Sequence, residues 1–232
     1  MLRGEPADVG SVAEARRIQE SLRGRVLTAW DGRQVSVVAG VDVALHGESG
    51  RAAVVVLSYP GLGLLEWACA ERPLTFPYVP GYLAFREAPV AVDAVSRLRT
   101  PPDVYMIDGQ GIAHPRRMGI AAHIGVLLDA PTIGCAKSRL FGDHGEVGEE
   151  RGQRTPLTDP STGEVVGSVL RTRTGVSPVF VSIGHRVDLE TSMGLVLGCA
   201  RYRIPEPLRL AHILASHGEE KLRSTALRDR RV

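Results

Sequence analysis

Val12, Ala15, Ile18 and Leu22 recur at three- and four-residue intervals, which predicts an amphipathic helix near residues 8–23. The pattern then turns to continuous apolar runs, Val35 to Ala44, Ala52 to Tyr59 and Leu62 to Ala70, separated by the turn-forming stretches Gly47-Glu48-Ser49-Gly50 and Pro60-Gly61. Three strands on such short connections predict an antiparallel meander. After a stiff aromatic–proline segment, Phe76 to Tyr82, helical spacing returns over Glu87 to Arg99 with Val90, Ala94 and Leu98 on one face. Strand Val104 to Asp108, helix Arg117 to Leu128 and strand Thr132 to Cys135 follow. Parallel strands need crossover helices, so this alternation predicts α/β architecture with a mixed sheet.

Residues 142–162 are polar and glycine-rich and read as a mobile loop; Glu164 to Arg173 and Val179 to Ile183 read as a hairpin pair. Helices are predicted at about Leu189–Ala200 and Pro207–Ser216, and the charged segment from Glu219 to Val232 as a frayed tail. No internal repeat or linker divides the chain, so 1–232 reads as one domain.

Composition narrows the classes. With 44% hydrophobic and 23% charged residues the chain holds enough apolar material for a core, which excludes disorder and disulfide miniproteins. A formal charge of +2 is too weak to announce a nucleic-acid partner. Cys69, Cys135 and Cys199 have no ligand spacing and read as reduced buried thiols. The N-terminus lacks the apolar core of a secretory leader, and no run approaches a membrane span, so a soluble cytoplasmic protein is expected. Only Lys137 and Lys221 are lysines, which makes Lys137, just after a predicted strand, conspicuous.

Asp42 interrupts the apolar run Val38 to Ala44, where a buried charge needs a partner; the plainer alternative is an acid on a solvated edge. Asp108 closes a strand ahead of Gly109-Gln110-Gly111, at the kind of carboxyl end where open α/β sheets bind ligands, although Asp-Gly is also an ordinary turn. Glu87 stands at the start of its predicted helix, where the dipole alone would favour it. Together three acids could hold Mg²⁺ or Mn²⁺, whereas zinc is disfavoured by the absence of spaced histidines and cysteines. Lys137 could steady a phosphate, or be a surface cation. His114, on the loop beside Asp108, is a better site candidate than His212, which as a lone helical histidine has a packing role as its alternative. Arg116 and Arg117 could contact phosphates. Pro77-Tyr78-Val79-Pro80-Gly81 presents an aromatic fixed by prolines, suited to wedging into a base stack or else to packing on the core.

In order along the chain stand Gly40-Val41-Asp42-Val43, Pro77-Tyr78-Val79-Pro80-Gly81 with Leu83-Ala84-Phe85-Arg86-Glu87, and Asp108-Gly109-Gln110-Gly111 with His114-Pro115-Arg116. Gly134-Cys135-Ala136-Lys137-Ser138-Arg139-Leu140, Ser182-Ile183-Gly184-His185 and Arg203-Ile204-Pro205-Glu206-Pro207 follow. This ordered set closely resembles the endonuclease V family, the deoxyinosine 3′-endonucleases. The resemblance implies a ribonuclease H-like fold, a mixed five-stranded sheet flanked by helices. It implies a monomeric Mg²⁺-dependent DNA-repair nuclease, Mn²⁺ substituting. Such an enzyme recognises hypoxanthine in DNA and cuts the second phosphodiester 3′ to the lesion, leaving 3′-hydroxyl and 5′-phosphate ends. By the same resemblance Asp42 and Asp108 are metal ligands, Glu87 is the third acid, Lys137 contacts the phosphate and His212 supports the centre. Tyr78 matches the DNA wedge, and Gly81, Leu83, Gly109 and Gly119, with His114 nearby, shape the pocket for the flipped base. The chain departs from the family's pattern in Asp143, Glu146, Glu149 and Glu150, acids that oppose a phosphate backbone. The alternatives are an inosine-specific endoribonuclease acting on inosine-containing RNA, and a non-catalytic inosine-binding module.

Overall fold

The computed structural model describes residues 9–229; the expectations for residues 1–8 and 230–232 fall outside that range. The chain order is α1 (Val12–Arg23), β1 (Val37–His46), β2 (Ser49–Ser58), β3 (Leu64–Pro73), α2 (Leu83–Ser96), β4 (Val104–Ile107), α3 (Ile120–Leu128) and β5 (Thr132–Ala136). It continues with β6 (Arg154–Thr158), β7 (Val165–Leu170), β8 (Val179–His185), α4 (Leu189–Gly198), α5 (Glu206–His217) and α6 (Glu219–Asp229). One sheet runs β3-β2-β1-β4-β5-β8-β7-β6. The predicted meander is its first three strands, and β1, β4 and β5 are parallel; α2 crosses from β3 to β4 and α3 from β4 to β5.

The sheet has eight strands among the described residues, not five. The hairpin pair forms as expected but does not stand apart: β8 pairs antiparallel with β5, and every residue of β8 is buried. Residues 154–158, inside the segment expected to be a mobile loop, pair with β7 as β6. That segment is further anchored where Asp159 accepts from Ser161 and from Arg117 at 2.5 Å. The charged tail is likewise helical in α6, because Leu222 is fully buried against the core.

α2 and α3 cover one face of the sheet, meeting Ala39, Val41 and Ile107. α4 and α5 cover the other, meeting Val38, Met106 and Ile133. Alternation along β1 therefore sends Val41 towards α2 and α3 and Asp42 towards α5. α2 begins at Leu83 and not at Glu87, so Glu87 lies in its second turn, away from the dipole end. Pro89 lies inside the helix, as the predicted span Glu87 to Arg99 already had it. Cys135 and Cys199 are buried free thiols and Cys69 is a half-buried one. Among the described residues no helix is long and apolar enough to cross a membrane.

Candidate active site

Asp42, Asp108 and Lys137 stand at the carboxyl side of three adjacent parallel strands. β4 stops opposite Val41, and the Asp108 N–H donates to the Val41 carbonyl at 3.1 Å, so the sheet parts just where Asp42 begins. Lys137 follows the last residue of β5, and its Nζ donates to Asp108 Oδ2 at 2.5 Å. Glu87 reaches the same place from α2. All four line one cleft of about 390 Å³.

His212 comes from the other layer. At Gly40 an added Cβ would lie 2.1 Å from the Pro207 carbonyl carbon, so only glycine lets the first turn of α5 cross β1 that closely. That approach places His212 Nδ1 2.8 Å from Asp42 Oδ2. His212 does not line the cleft; it supports Asp42 from the α5 side.

The acids crowd one another. Burial and then repulsion from Asp108 push Asp42 up to about 6, against the pull of the His212 hydrogen bond. Burial, with Asp42 and Asp108 behind it, pushes Glu87 up to about 8. Burial works to lower Lys137, but its hydrogen bond and attraction to Asp108 outweigh that and raise it. Such a site is short of positive charge, and hard carboxylate oxygens are what Mg²⁺ or Mn²⁺ prefers. Asp42 and Asp108 fit that requirement. Among the described residues no three histidine, cysteine or acidic side chains are placed to hold one metal ion together, so the expected set of three acids narrows to a pair. Two carboxylates suffice for magnesium that keeps waters and binds a substrate phosphate.

The opposite wall is built from the loop Tyr78 to Tyr82 and the residues Gly109 to Gly119. Tyr78 is 70% exposed on the rim, so it is not packed on the core. Gly81, Leu83, Gly109 and Gly119 all line the cleft. Gly81 has φ +80°, and its carbonyl points into a knot of donors. His114 Nε2 lies 2.9 Å from that oxygen, while His114 Nδ1 accepts from the Arg116 N–H at 3.1 Å. The Nδ1 bond assigns the proton to Nε2, and burial holds His114 neutral, down at about 4. Both ring nitrogens are thus engaged within the protein, where His114 ties the Gly81 loop to the Gly109–Gly119 run.

The arginines are likewise used internally. Arg117 pairs with Asp159 and Glu164, and Arg116 donates to Gln19 and to the Gly81 carbonyl. The phosphate contacts expected of this pair are therefore not what their side chains are arranged for. Gln19 was missed altogether. The signal was present, because it falls four residues after Ala15 on the apolar stripe of α1 and is fully buried. A polar residue on a buried stripe has a specific partner.

A family model described as Endonuclease V matches residues 20–213. Endonuclease V of Roseiflexus sp. (strain RS-1) is 56% identical over 209 residues, covering 90% of this chain and 93% of the relative. The solved endonuclease V of Streptomyces avermitilis is similar with a TM-score of 0.85 at 41% identity, over 97% of both chains. Endonuclease V of Ciona intestinalis, in complex with a 24mer DNA containing an inosine followed by a ribo-adenosine, gives a TM-score of 0.80 at 30% identity, over 92% of this chain and 98% of that one. The shared fold is the expected ribonuclease H-like α/β arrangement, carried on eight strands among the described residues. By the extent of the family match and the identity to its members, the chain belongs to the endonuclease V family.

Proposed function

We propose that the chain is a DNA-repair endonuclease that recognises deoxyinosine and hydrolyses the second phosphodiester 3′ to it, leaving a 3′-hydroxyl and a 5′-phosphate. The observation that carries this reading is the meeting of Asp42, Glu87, Asp108 and Lys137 in one cleft whose rim bears the exposed Tyr78. The Ciona relative, bound to inosine-containing DNA, supports the substrate.

Asp42 and Asp108 would hold Mg²⁺, or Mn²⁺ in its place. When bound, such an ion supplies an acidified water and neutralises charge on the phosphate. Glu87, raised to about 8, is poised to exchange a proton with the attacking water near neutral pH. Lys137, held by Asp108, presents its ammonium to the scissile phosphate. His212 keeps Asp42 oriented from behind. Tyr78 fills the gap left in the duplex, and the walls at Gly81 and Gly109 receive the extruded base. Extrusion is least costly for a base that pairs weakly.

End-labelled duplex DNA with one deoxyinosine, incubated with protein and Mg²⁺ and mapped on a sequencing gel, tests the proposal. The expected product is a nick one nucleotide beyond the lesion on its 3′ side, absent from undamaged duplex and from reactions with EDTA. An inosine-containing RNA runs beside it. Cutting of the RNA alone would move the function to RNA turnover. Binding of inosine DNA without cutting would leave a recognition module.

A further inference from the structure

The two walls of the recognition side come from segments far apart in sequence, the loop Tyr78 to Tyr82 and the run from Gly109 to Gly119. They are tied together by a third segment. Gln19, on α1, is fully buried and lines the cleft. Its amide Nε2 donates to the Gly81 carbonyl on one wall and to the Met118 carbonyl on the other, each at 3.0 Å. Its Oε1 accepts from Arg116 Nε at 2.5 Å. The Arg116 Nη2 returns to the Gly81 carbonyl at 2.8 Å, with the guanidinium 4.2 Å above the Tyr82 ring.

A primary amide carries two N–H bonds at a fixed angle, so two carbonyls that share it are held at a set separation. Burying a glutamine on the apolar stripe of a helix is unfavourable unless its polar atoms are paired. Here all of that pairing is directed at the two walls and at the arginine between them. None of it reaches Asp42, Glu87, Asp108 or Lys137. An apolar residue would serve α1 packing as well, next to Ala15 and Ile18.

We propose that Gln19 is a positioning residue for base recognition, the bolt that sets the width of the pocket between the Gly81 and Met118 walls. The inference rests on the reading of this cleft as the inosine site. It makes a prediction that a packing role does not: loss of the bolt weakens engagement of the lesion and spares the chemical step.

The test uses the full chain and its Gln19→Met variant, which keeps length and volume but removes the amide. KM and kcat are measured on inosine duplex with Mg²⁺, beside thermal melts. The expected result is KM raised about tenfold, the scale of one lost buried hydrogen bond, with kcat within about twofold. Arg116→Lys, at the half-buried end of the same network, keeps the charge and loses the fork. It is expected to raise KM in the same direction by less, and it stands as the readout if the methionine variant does not fold. An unchanged KM in the folded variant, or a fall in kcat at constant KM, overturns the inference. Failure of the parent chain to cut inosine DNA overturns instead the reading beneath it.

Discussion

The two walls of the cleft solve opposite problems. On the strand-end wall the charges are uncomfortable: burial and mutual repulsion push Asp42 to about 6 and Glu87 to about 8, with His212 and Lys137 partly relieving Asp42 and Arg86 partly relieving Glu87. On the recognition wall a neutral His114, Gln19 and Arg116 converge on the carbonyl of Gly81, and the network is closed within the protein. A wall left electrostatically unfinished is suited to bind an ion and a phosphate, whose charges complete it. The groups that meet at Gly81 are already paired and contribute shape, while Gln110 Oε1 on the same wall is buried without a partner among the described residues.

That contrast is broken most severely on the charged wall. Asp108→Ala removes a proposed metal ligand and the partner of Lys137, and cleavage is expected to fall by roughly a thousandfold or more. The melting temperature should hold or rise, because a crowded acid is gone. Full activity of this variant with Mg²⁺ would show that the metal site lies elsewhere. On the other wall, Tyr78→Ala should weaken binding to inosine duplex by roughly tenfold, the scale of one lost base stack, with the cut position unchanged. A large loss of kcat at saturating DNA would instead place Tyr78 with the chemistry.

The smallest effect is also the one that most directly measures the difference between the walls. Glu87 holds its proton in the folded state up to about 8 and releases it near 4.5 when unfolded, so its contribution to stability is lost as pH rises through 8. His114 and His123 are held near 4 by burial, so theirs is present above 6.5 and lost as pH falls through 4. Between pH 7 and 8 His114 and His123 are largely neutral in both states, Asp42 is largely ionised in both, and Glu87 dominates the slope. In EDTA, stability should fall across that window by on the order of 1 kcal/mol, a few degrees of Tm at this chain length. Mg²⁺ should flatten the slope, and so should Glu87→Gln. A slope that persists in the glutamine variant would assign the titration to another group.

The acids of the site were legible because each stands out against its neighbours. Asp42 interrupts an apolar strand, Asp108 closes one ahead of glycines, and Lys137 is one of two lysines in the chain. Glu87 was legible as an acid and misplaced as a helix start, because α2 already takes in Leu83 to Arg86 ahead of it. Arg116 and Arg117 were visible as charges, but which anion or carbonyl each would meet depended on Asp159, Glu164, Gln19 and Gly81, far away in sequence. The acidic segment 142–162 looked mobile for a similar reason: the partners that order it, Arg117 and β7, lie outside it.

Local chemistry therefore determined the elements, the meander followed by crossovers, the family motifs and the chemical character of the site, because period, turn residues and buried charge are properties of short stretches. Tertiary structure alone decided that β8 would extend the sheet from β5, that Leu222 would draw the charged tail into a helix, and that His212 would meet Asp42 across the gap opened by Gly40. It also decided that Gln19 would join two walls of one pocket. Each of these is a contact between segments distant in sequence, and no periodicity within a segment encodes which distant surface will come to cover it.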